Sequence, residues 1–85
     1  MRSFLVESYL ATRNESELEA AVRRAHAVEN ARVIRHLGSL VMLEDEVCFH
    51  LFEAPSAAAL LAATEEVGLS CERVVETLWR PGRGA

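Results

Sequence analysis

The stretch VIRHLGSLVMLEDEVCFHLFE, residues 33–53, decides the fold of this chain. It contains two runs rich in apolar, β-branched and aromatic residues, 33–43 and 47–53, on either side of an acidic triplet at 44–46. Two such runs around a short polar segment are typical of a β-hairpin. We expect a three-residue loop with Leu43 opposite Val47, because a two-residue loop would mix polar and apolar side chains on both faces.

The three-residue loop assigns every side chain of the hairpin to one of two faces. The more apolar face, which we expect to lie beneath helices, carries Leu37, Val41, Leu43, Val47, Phe49 and Leu51. The other face carries His36, Leu40, Met42, Cys48, His50 and Phe52. Gly38 lies alone in the middle of its strand, which predicts a β-bulge rather than a phosphate-binding loop.

Two helices are predicted on either side of the hairpin. Asn14 followed by Glu17 has the spacing of a capping box, which predicts a helix that ends near Asn30. Ser56 is the expected N-cap of the second helix, and Gly68 is the expected left-handed residue after its last turn.

Strands at both ends complete the fold. FLVESYL, residues 4–10, is predicted to be a strand with Phe4, Val6, Ser8 and Leu10 on one face and Leu5, Glu7 and Tyr9 on the other. RVVETLW, residues 73–79, is predicted to be the last strand. The order β-α-β-β-α-β predicts an α+β, ferredoxin-like fold: a four-stranded antiparallel sheet with two helices on one face. Right-handed crossovers are expected to place the first and third strands side by side in the centre, parallel to each other. We expect residues 1–79 to form this single domain and residues 80–85 to be a flexible tail.

The face of the sheet that the helices leave bare is expected to be largely apolar. By alternation it carries Leu5, Glu7, Tyr9, Leu40, Met42, Cys48, His50, Phe52, Val74, Glu76 and Leu78. A contiguous apolar patch of this kind usually marks an interaction surface. We therefore expect a homodimer formed sheet against sheet. The residues that would line the dimer face, or a cavity for a small apolar ligand, are Leu5, Tyr9, Leu40, Met42 and Phe52.

Glu7 and His50 are the polar exceptions near the centre of that face, at the midpoints of adjacent strands. A carboxylate and an imidazole bind borderline transition metals such as nickel or zinc, and they also serve as general acid and base. A hydrogen-bonded pair that only fixes the register of the sheet is the other interpretation.

A closed metal site needs more ligands than Glu7 and His50. The additional candidates are Glu76, Cys48, Tyr9, water or a group from a partner subunit. His36 lies too far along its strand to share a metal with His50 inside one chain, so we expect it to contribute only from a partner subunit. His26 is expected to be a surface residue without a role.

Composition excludes several classes of protein. The 85 residues are 51% hydrophobic and 26% charged, with a formal net charge of −4. All nine basic residues are arginines spread along the chain, which disfavours nucleic acid and anionic membranes as partners. No apolar run approaches the ~20 residues of a membrane span, and the N-terminus lacks a signal sequence, so we expect a cytoplasmic protein. Two cysteines are too few for a disulfide framework.

The segments 35–46 (RHLGSLVMLEDE) and 49–56 (FHLFEAPS) resemble small actinobacterial nickel-binding-type domains of otherwise unknown function. The opening FLVE, residues 4–7, and the segment from Gly68 to Glu76 resemble them as well. The resemblance implies a dimeric, ferredoxin-like fold of the α+β-barrel kind and, for some members, a bound nickel ion. Many relatives carry Cys or Tyr where this chain has His50, and His is also a competent ligand.

Three functions follow from these observations. The first is a small metal-binding protein that holds nickel on the bare face of the sheet. The second is a cofactor-independent monooxygenase or isomerase that acts on an apolar substrate with His50 and Glu7 as acid and base. The third is a structural or regulatory dimer without a ligand, and the fold alone does not choose among the three. RNA binding is set aside, because the third strand, VCFHLF, lacks the basic residues of RNA-binding sheets.

Overall fold

The computed structural model describes residues 1–9, 15–29 and 33–82. Its elements follow the predicted order and form an α+β, ferredoxin-like fold. The strands are β1 (Arg2–Tyr9), β2 (Arg35–Met42), β3 (Val47–Ala54) and β4 (Arg73–Thr77). The helices are α1 (Glu15–Ala27) and α2 (Ala57–Val67).

The four strands form one sheet in the order β2-β3-β1-β4, and all neighbours in it are antiparallel. The central position of β1 and β3 is as predicted, but the prediction that they run parallel is wrong. The connection through α1 makes β1 parallel to β2, which is not its neighbour. The hairpin then reverses the chain, so that β3 must run antiparallel to β1.

The core lies between the helices and one face of the sheet. On β1 the buried side chains are Phe4, Val6 and Ser8, while Leu5, Glu7 and Tyr9 point to the other face, as the alternation predicted. The main apolar cluster is built from Phe4, Val6, Ala25, Val28, Ile34, Phe52, Ala54, Leu60, Ala63 and Leu69. We call the helix-covered side of the sheet the inner face and the other side the open face.

The ends of α2 are those that the sequence predicts. The Ser56 hydroxyl accepts a hydrogen bond from the backbone N–H of Ala59 at 3.1 Å. Gly68 adopts a left-handed conformation with φ of 72°, and the following N–H of Leu69 donates to the carbonyl of Thr64 at 3.0 Å. This is the hydrogen-bond pattern of a left-handed helix cap, which glycine adopts without steric cost. α1 ends at Ala27, and its predicted cap and end, at 14 and 30, lie outside the described residues.

The hairpin loop has four residues, 43–46, and not the predicted three. Met42 pairs with Val47, and Glu46 has a positive φ of 55° that lets the loop close with its extra residue. A shift of one residue moves every side chain of a strand to the opposite face. The predicted facing of β3 is therefore inverted: Cys48, His50 and Phe52 lie on the inner face and are buried, while Phe49 and Leu51 lie on the open face.

The predicted facing of β4 is also wrong, because β4 pairs with β1 in the opposite parity. Val74 pairs with Val6 and packs against the core, so it lies on the inner face. Glu76 pairs with Phe4 and also lies on that side, at the exposed edge of the sheet. Leu78 lies beyond the end of β4 and is exposed.

The predicted bulge at Gly38 is confirmed. The β2–β3 register shifts between His36 and Gly38, so that Leu37 is the extra residue. His36 pairs with Phe52 before the bulge, and Ser39 pairs with His50 after it. The bulge thus brings His36 and Ser39 to the same inner face although three positions separate them.

Candidate functional site

The predicted pair of Glu7 and His50 does not form, because the two side chains lie on opposite faces of the sheet. Glu7 is on the open face, where its carboxylate accepts a hydrogen bond from Arg73 at 2.9 Å. His50 is paired with Val6 and is fully buried beneath the helices. The cause is the four-residue hairpin loop, which turns the side chain of His50 inward.

His50 is the only fully buried histidine of the described residues, and its two ring nitrogens have different surroundings. Nδ1 lies 2.7 Å from the hydroxyl of Ser39 and 3.9 Å from the sulfur of Cys48. Nε2 is buried without a hydrogen-bond partner among the described residues. Burial, and secondarily the nearby charge of His36, lower the pKa of His50 to about 4. The ring is therefore neutral at physiological pH.

His36 lies next to His50 on the inner face. Its Nε2 is 3.0 Å from the Ser39 hydroxyl, and its backbone N–H donates to the carboxylate of Glu29 at 2.8 Å. Partial burial, and to a lesser extent the nearby His26, lower the pKa of His36, against opposing effects of the Gly38 backbone and Glu29. The prediction that His36 can approach a metal site only from a partner subunit is wrong, because the bulge shortens its path to His50 within one chain.

All three histidines of the chain form one row, which we call the histidine row: His26, His36 and His50. The ring centroids of His26 and His36 are 5.9 Å apart, and those of His36 and His50 are 6.1 Å apart. The row runs from the exposed His26 on α1, through the half-buried His36, to the buried His50. The sequence spacing of 26, 36 and 50 matches no motif, and the row depends on the strand register with its bulge and on the packing of α1.

The other predicted ligands differ in what surrounds them. Cys48 lies beside His50 on the inner face, and burial raises the pKa of its thiol. Glu76 accepts two hydrogen bonds of 2.7 and 2.9 Å from Arg2 at the edge of the sheet, so its carboxylate is paired with a guanidinium and not with His50. Within residues 1–9, 15–29 and 33–82, no group of three or more His, Cys, Asp or Glu side chains has the arrangement of a metal site.

The open face has an apolar centre with a shallow pocket of about 450 Å³. The lining residues are Leu5, Gly38, Ser39, Leu40, Phe49 and Leu51. Leu5 and Leu40 were predicted to line such a cavity, and Tyr9 and Met42 are exposed on the same face as predicted. Phe52 was predicted there as well, but it belongs to the buried core, because the β3 facing is inverted. Phe49 and Leu51 take its place.

Charged side chains on the open face occur as two neutral pairs at opposite sides of the apolar centre. Glu7 on β1 pairs with Arg73 on β4, and Arg35 on β2 pairs with Glu53 on β3 at 3.2 Å. The open-face strand positions therefore carry equal numbers of positive and negative groups, each opposite its partner. The desolvation cost of burying such a surface is lower than that of burying a surface with unpaired charges.

The chain shares its fold with a protein of solved structure. No family model matches the chain, and no curated protein matches it. Among solved structures, the chain is similar to SCO4226 from Streptomyces coelicolor A3(2), with a TM-score of 0.77 at 19% sequence identity. The match covers 93% of this chain and 99% of that protein, so the two share the whole fold. None of the described helices is long and apolar enough to cross a membrane.

Proposed function

We propose that this chain is a small metal-binding protein of the nickel type that works as a homodimer. The observation that supports the metal-binding proposal is that two imidazole nitrogens lie within hydrogen-bond distance of one hydroxyl on the inner face, with the sulfur of Cys48 beside one of them. His36 Nε2 and His50 Nδ1 both face the Ser39 hydroxyl, and the sulfur of Cys48 lies 3.9 Å from the same nitrogen of His50.

The donor set fits a borderline divalent ion. Imidazole and thiolate ligands are preferred by nickel and zinc, whereas magnesium and calcium prefer oxygen ligands. Metal binding requires unprotonated imidazoles, and the lowered pKa values of His36 and His50 provide them at neutral pH. Cys48 would have to lose its proton on binding. A bound ion would supply a Lewis acid next to an apolar core.

The metal-binding proposal is tested by calorimetric titration of metal-free protein with Ni²⁺ and Zn²⁺. We expect one binding event per chain, with an affinity at least tenfold lower in His36→Ala and in Cys48→Ser, because each removes one donor. Glu7→Gln is the matched control: it changes the ligand that the sequence predicted on the open face, and we expect its metal affinity to equal that of the parent. The absence of heat with the parent protein would exclude this function.

The proposed homodimer is supported by the open face. Large apolar side chains stay exposed there, with 63% of Leu40, 42% of Met42 and 39% of Val75 accessible to water. The two ion pairs of this face are already neutral, so a second copy could cover it without burying an unpaired charge. Small monomeric proteins seldom leave an apolar patch of this extent exposed.

Sedimentation of two leucine variants tests the dimer. Leu40→Glu places a charge at the centre of the open face, and we expect it to be monomeric where the parent is dimeric. Leu61→Glu is the matched control, since Leu61 is also an exposed leucine but lies on α2. We expect it to remain dimeric. A monomeric parent, or equal dissociation of both variants, would contradict pairing through the open face.

A second candidate function is the binding of a small apolar molecule, which the shallow pocket on the open face favours. The predicted acid–base pair for chemistry on such a ligand is wrong, because Glu7 and His50 lie on opposite faces. Native mass spectrometry of the purified dimer distinguishes this function from the first. We expect a retained organic molecule if the pocket is the site, and its loss in Leu51→Trp, which fills the pocket.

A further inference from the structure

Ser39 stands between the two imidazoles at the centre of the proposed metal site. It pairs with His50 across β2 and β3, and its hydroxyl lies 3.0 Å from His36 Nε2 and 2.7 Å from His50 Nδ1. The hairpin register places Ser39 opposite His50, and the bulge before Gly38 turns His36 to the same face. Ser39 is an exposed residue on β2, which is an edge strand of the sheet.

We propose that the Ser39 hydroxyl closes the metal site in the metal-free protein and thereby sets its metal affinity. This inference rests on the metal-binding function proposed above. The hydroxyl bridges the two ring nitrogens that would hold the ion, so the ion must displace it. Ser39 is in this sense a positioning and regulating residue, and not itself a ligand.

The hydrogens of the bridge explain why it opposes metal binding. A hydroxyl has one hydrogen, so it can donate to only one of the two nitrogens that face it. The other ring must donate an N–H to the serine oxygen, and a protonated nitrogen cannot bind a metal. Metal entry therefore breaks two hydrogen bonds and also moves at least one hydrogen to the far nitrogen of its ring.

For His50 that move is unfavourable. When Nδ1 binds a metal, the ring hydrogen must rest on Nε2, which is buried and has no acceptor among the described residues. A buried N–H without an acceptor costs free energy. The metal-free arrangement, with the hydrogen on Nδ1 and the serine oxygen as acceptor, avoids this cost. The hydrogen bonds between Ser39 and both imidazole rings thus stabilise the metal-free arrangement.

Metal titrations of two serine variants test the inference. Ser39→Ala removes the bridge, and we expect it to bind Ni²⁺ and Zn²⁺ roughly tenfold more tightly, as the loss of about one to two competing hydrogen bonds implies. Ser39→Thr keeps the hydroxyl and suits a strand, so we expect the affinity of the parent. Equal or weaker binding by Ser39→Ala would overturn the inference while leaving the metal-binding function in place.

A second readout needs no metal. In nitrogen-15 NMR spectra of the metal-free protein, we expect Ser39→Ala to shift the ring nitrogens of both His36 and His50, and Ser39→Thr to leave them near their parent positions. Unchanged nitrogens in Ser39→Ala would show that no bridge exists and overturn the inference. If neither the parent nor Ser39→Ala takes up metal although the NMR shifts occur, the metal-binding function fails and the closing role fails with it. Metal uptake by Ser39→Ala alone would support both.

Discussion

The two faces of the sheet differ in how they treat their polar groups. The open face is apolar at its centre and keeps its charges in two ion pairs, Glu7 with Arg73 and Arg35 with Glu53. The inner face, packed under the helices, holds a buried imidazole whose hydrogen bond comes from a neighbouring strand. The more hydrophobic set of side chains on β3 is therefore not the one that folding buries. A histidine side chain can be buried when one of its ring nitrogens forms a hydrogen bond.

The largest expected difference between the faces is in the cost of deleting an aromatic ring. Phe52 on the inner face is fully buried in the main core, whereas Phe49 on the open face is half-buried. We expect Phe52→Ala to lower the free energy of unfolding by about 3–5 kcal/mol, and Phe49→Ala by about 1 kcal/mol in the dilute monomer. Urea denaturation followed by circular dichroism measures both values.

Because Phe52→Ala removes a large part of the stability of so small a domain, Phe52→Leu serves as a milder variant, with an expected cost of about 1–2 kcal/mol. The dependence of each variant's stability on protein concentration distinguishes the two faces further. The effect of Phe49→Ala should grow with concentration as the open faces pair, whereas that of Phe52→Leu should not. Equal costs for the two phenylalanines would contradict the assignment of the faces.

Most of the fold could be predicted from the sequence because its signals are local. The strand alternation of β1, the Ser56 cap, the Gly68 cap and the Gly38 bulge each depend on a few neighbouring residues. The order of elements then leaves few topologies. The direction of β1 relative to β3 was predicted wrongly, and so were the length of the hairpin loop and the facing of β3 and β4.

The candidate site could not be predicted because it depends on register, which one residue changes. The four-residue loop inverts the facing of β3, and this separates Glu7 from His50 while it brings His50 beneath the helices. The bulge at Leu37 then moves His36 within reach of His50 through Ser39. The hydrophobic pattern does not reveal the length of the loop, and the lone Gly38 predicts a bulge without fixing which side chains it turns to the inner face. His26 joins the row only through the packing of α1.

A smaller difference between the faces is expected in their response to acid. The pKa of His50 falls from 6.5 to about 4 on folding, so the unfolded chain binds the proton more readily. Stability from this group is fully present above pH 6.5 and is lost as the pH falls toward 4, by at most about 3 kcal/mol. Partial burial of His36 acts in the same direction. Urea denaturation between pH 7.5 and 4 measures the slope.

His50→Gln isolates this contribution, since the amide can still bond to Ser39 but does not titrate in this range. We expect it to flatten the pH dependence, leaving the part that comes from other groups. Phe49→Ala, a change on the open face, should retain the slope of the parent. A slope that is unchanged in His50→Gln would show that the buried imidazole is not responsible for the acid sensitivity.

The smallest expected effects come from the two ion pairs at the β4 edge, which lie on opposite sides of the sheet. Arg2 and Glu76 are both largely exposed, so Glu76→Gln should change neither the unfolding midpoint nor the dimer, despite the short contact. Glu7→Gln should cost less than about 1 kcal/mol in the monomer. In the dimer, however, it leaves the positive charge of Arg73 unpaired on a covered face, so we expect several-fold weaker association by sedimentation. Association that responds equally to both variants would mean that the partner does not distinguish the two faces.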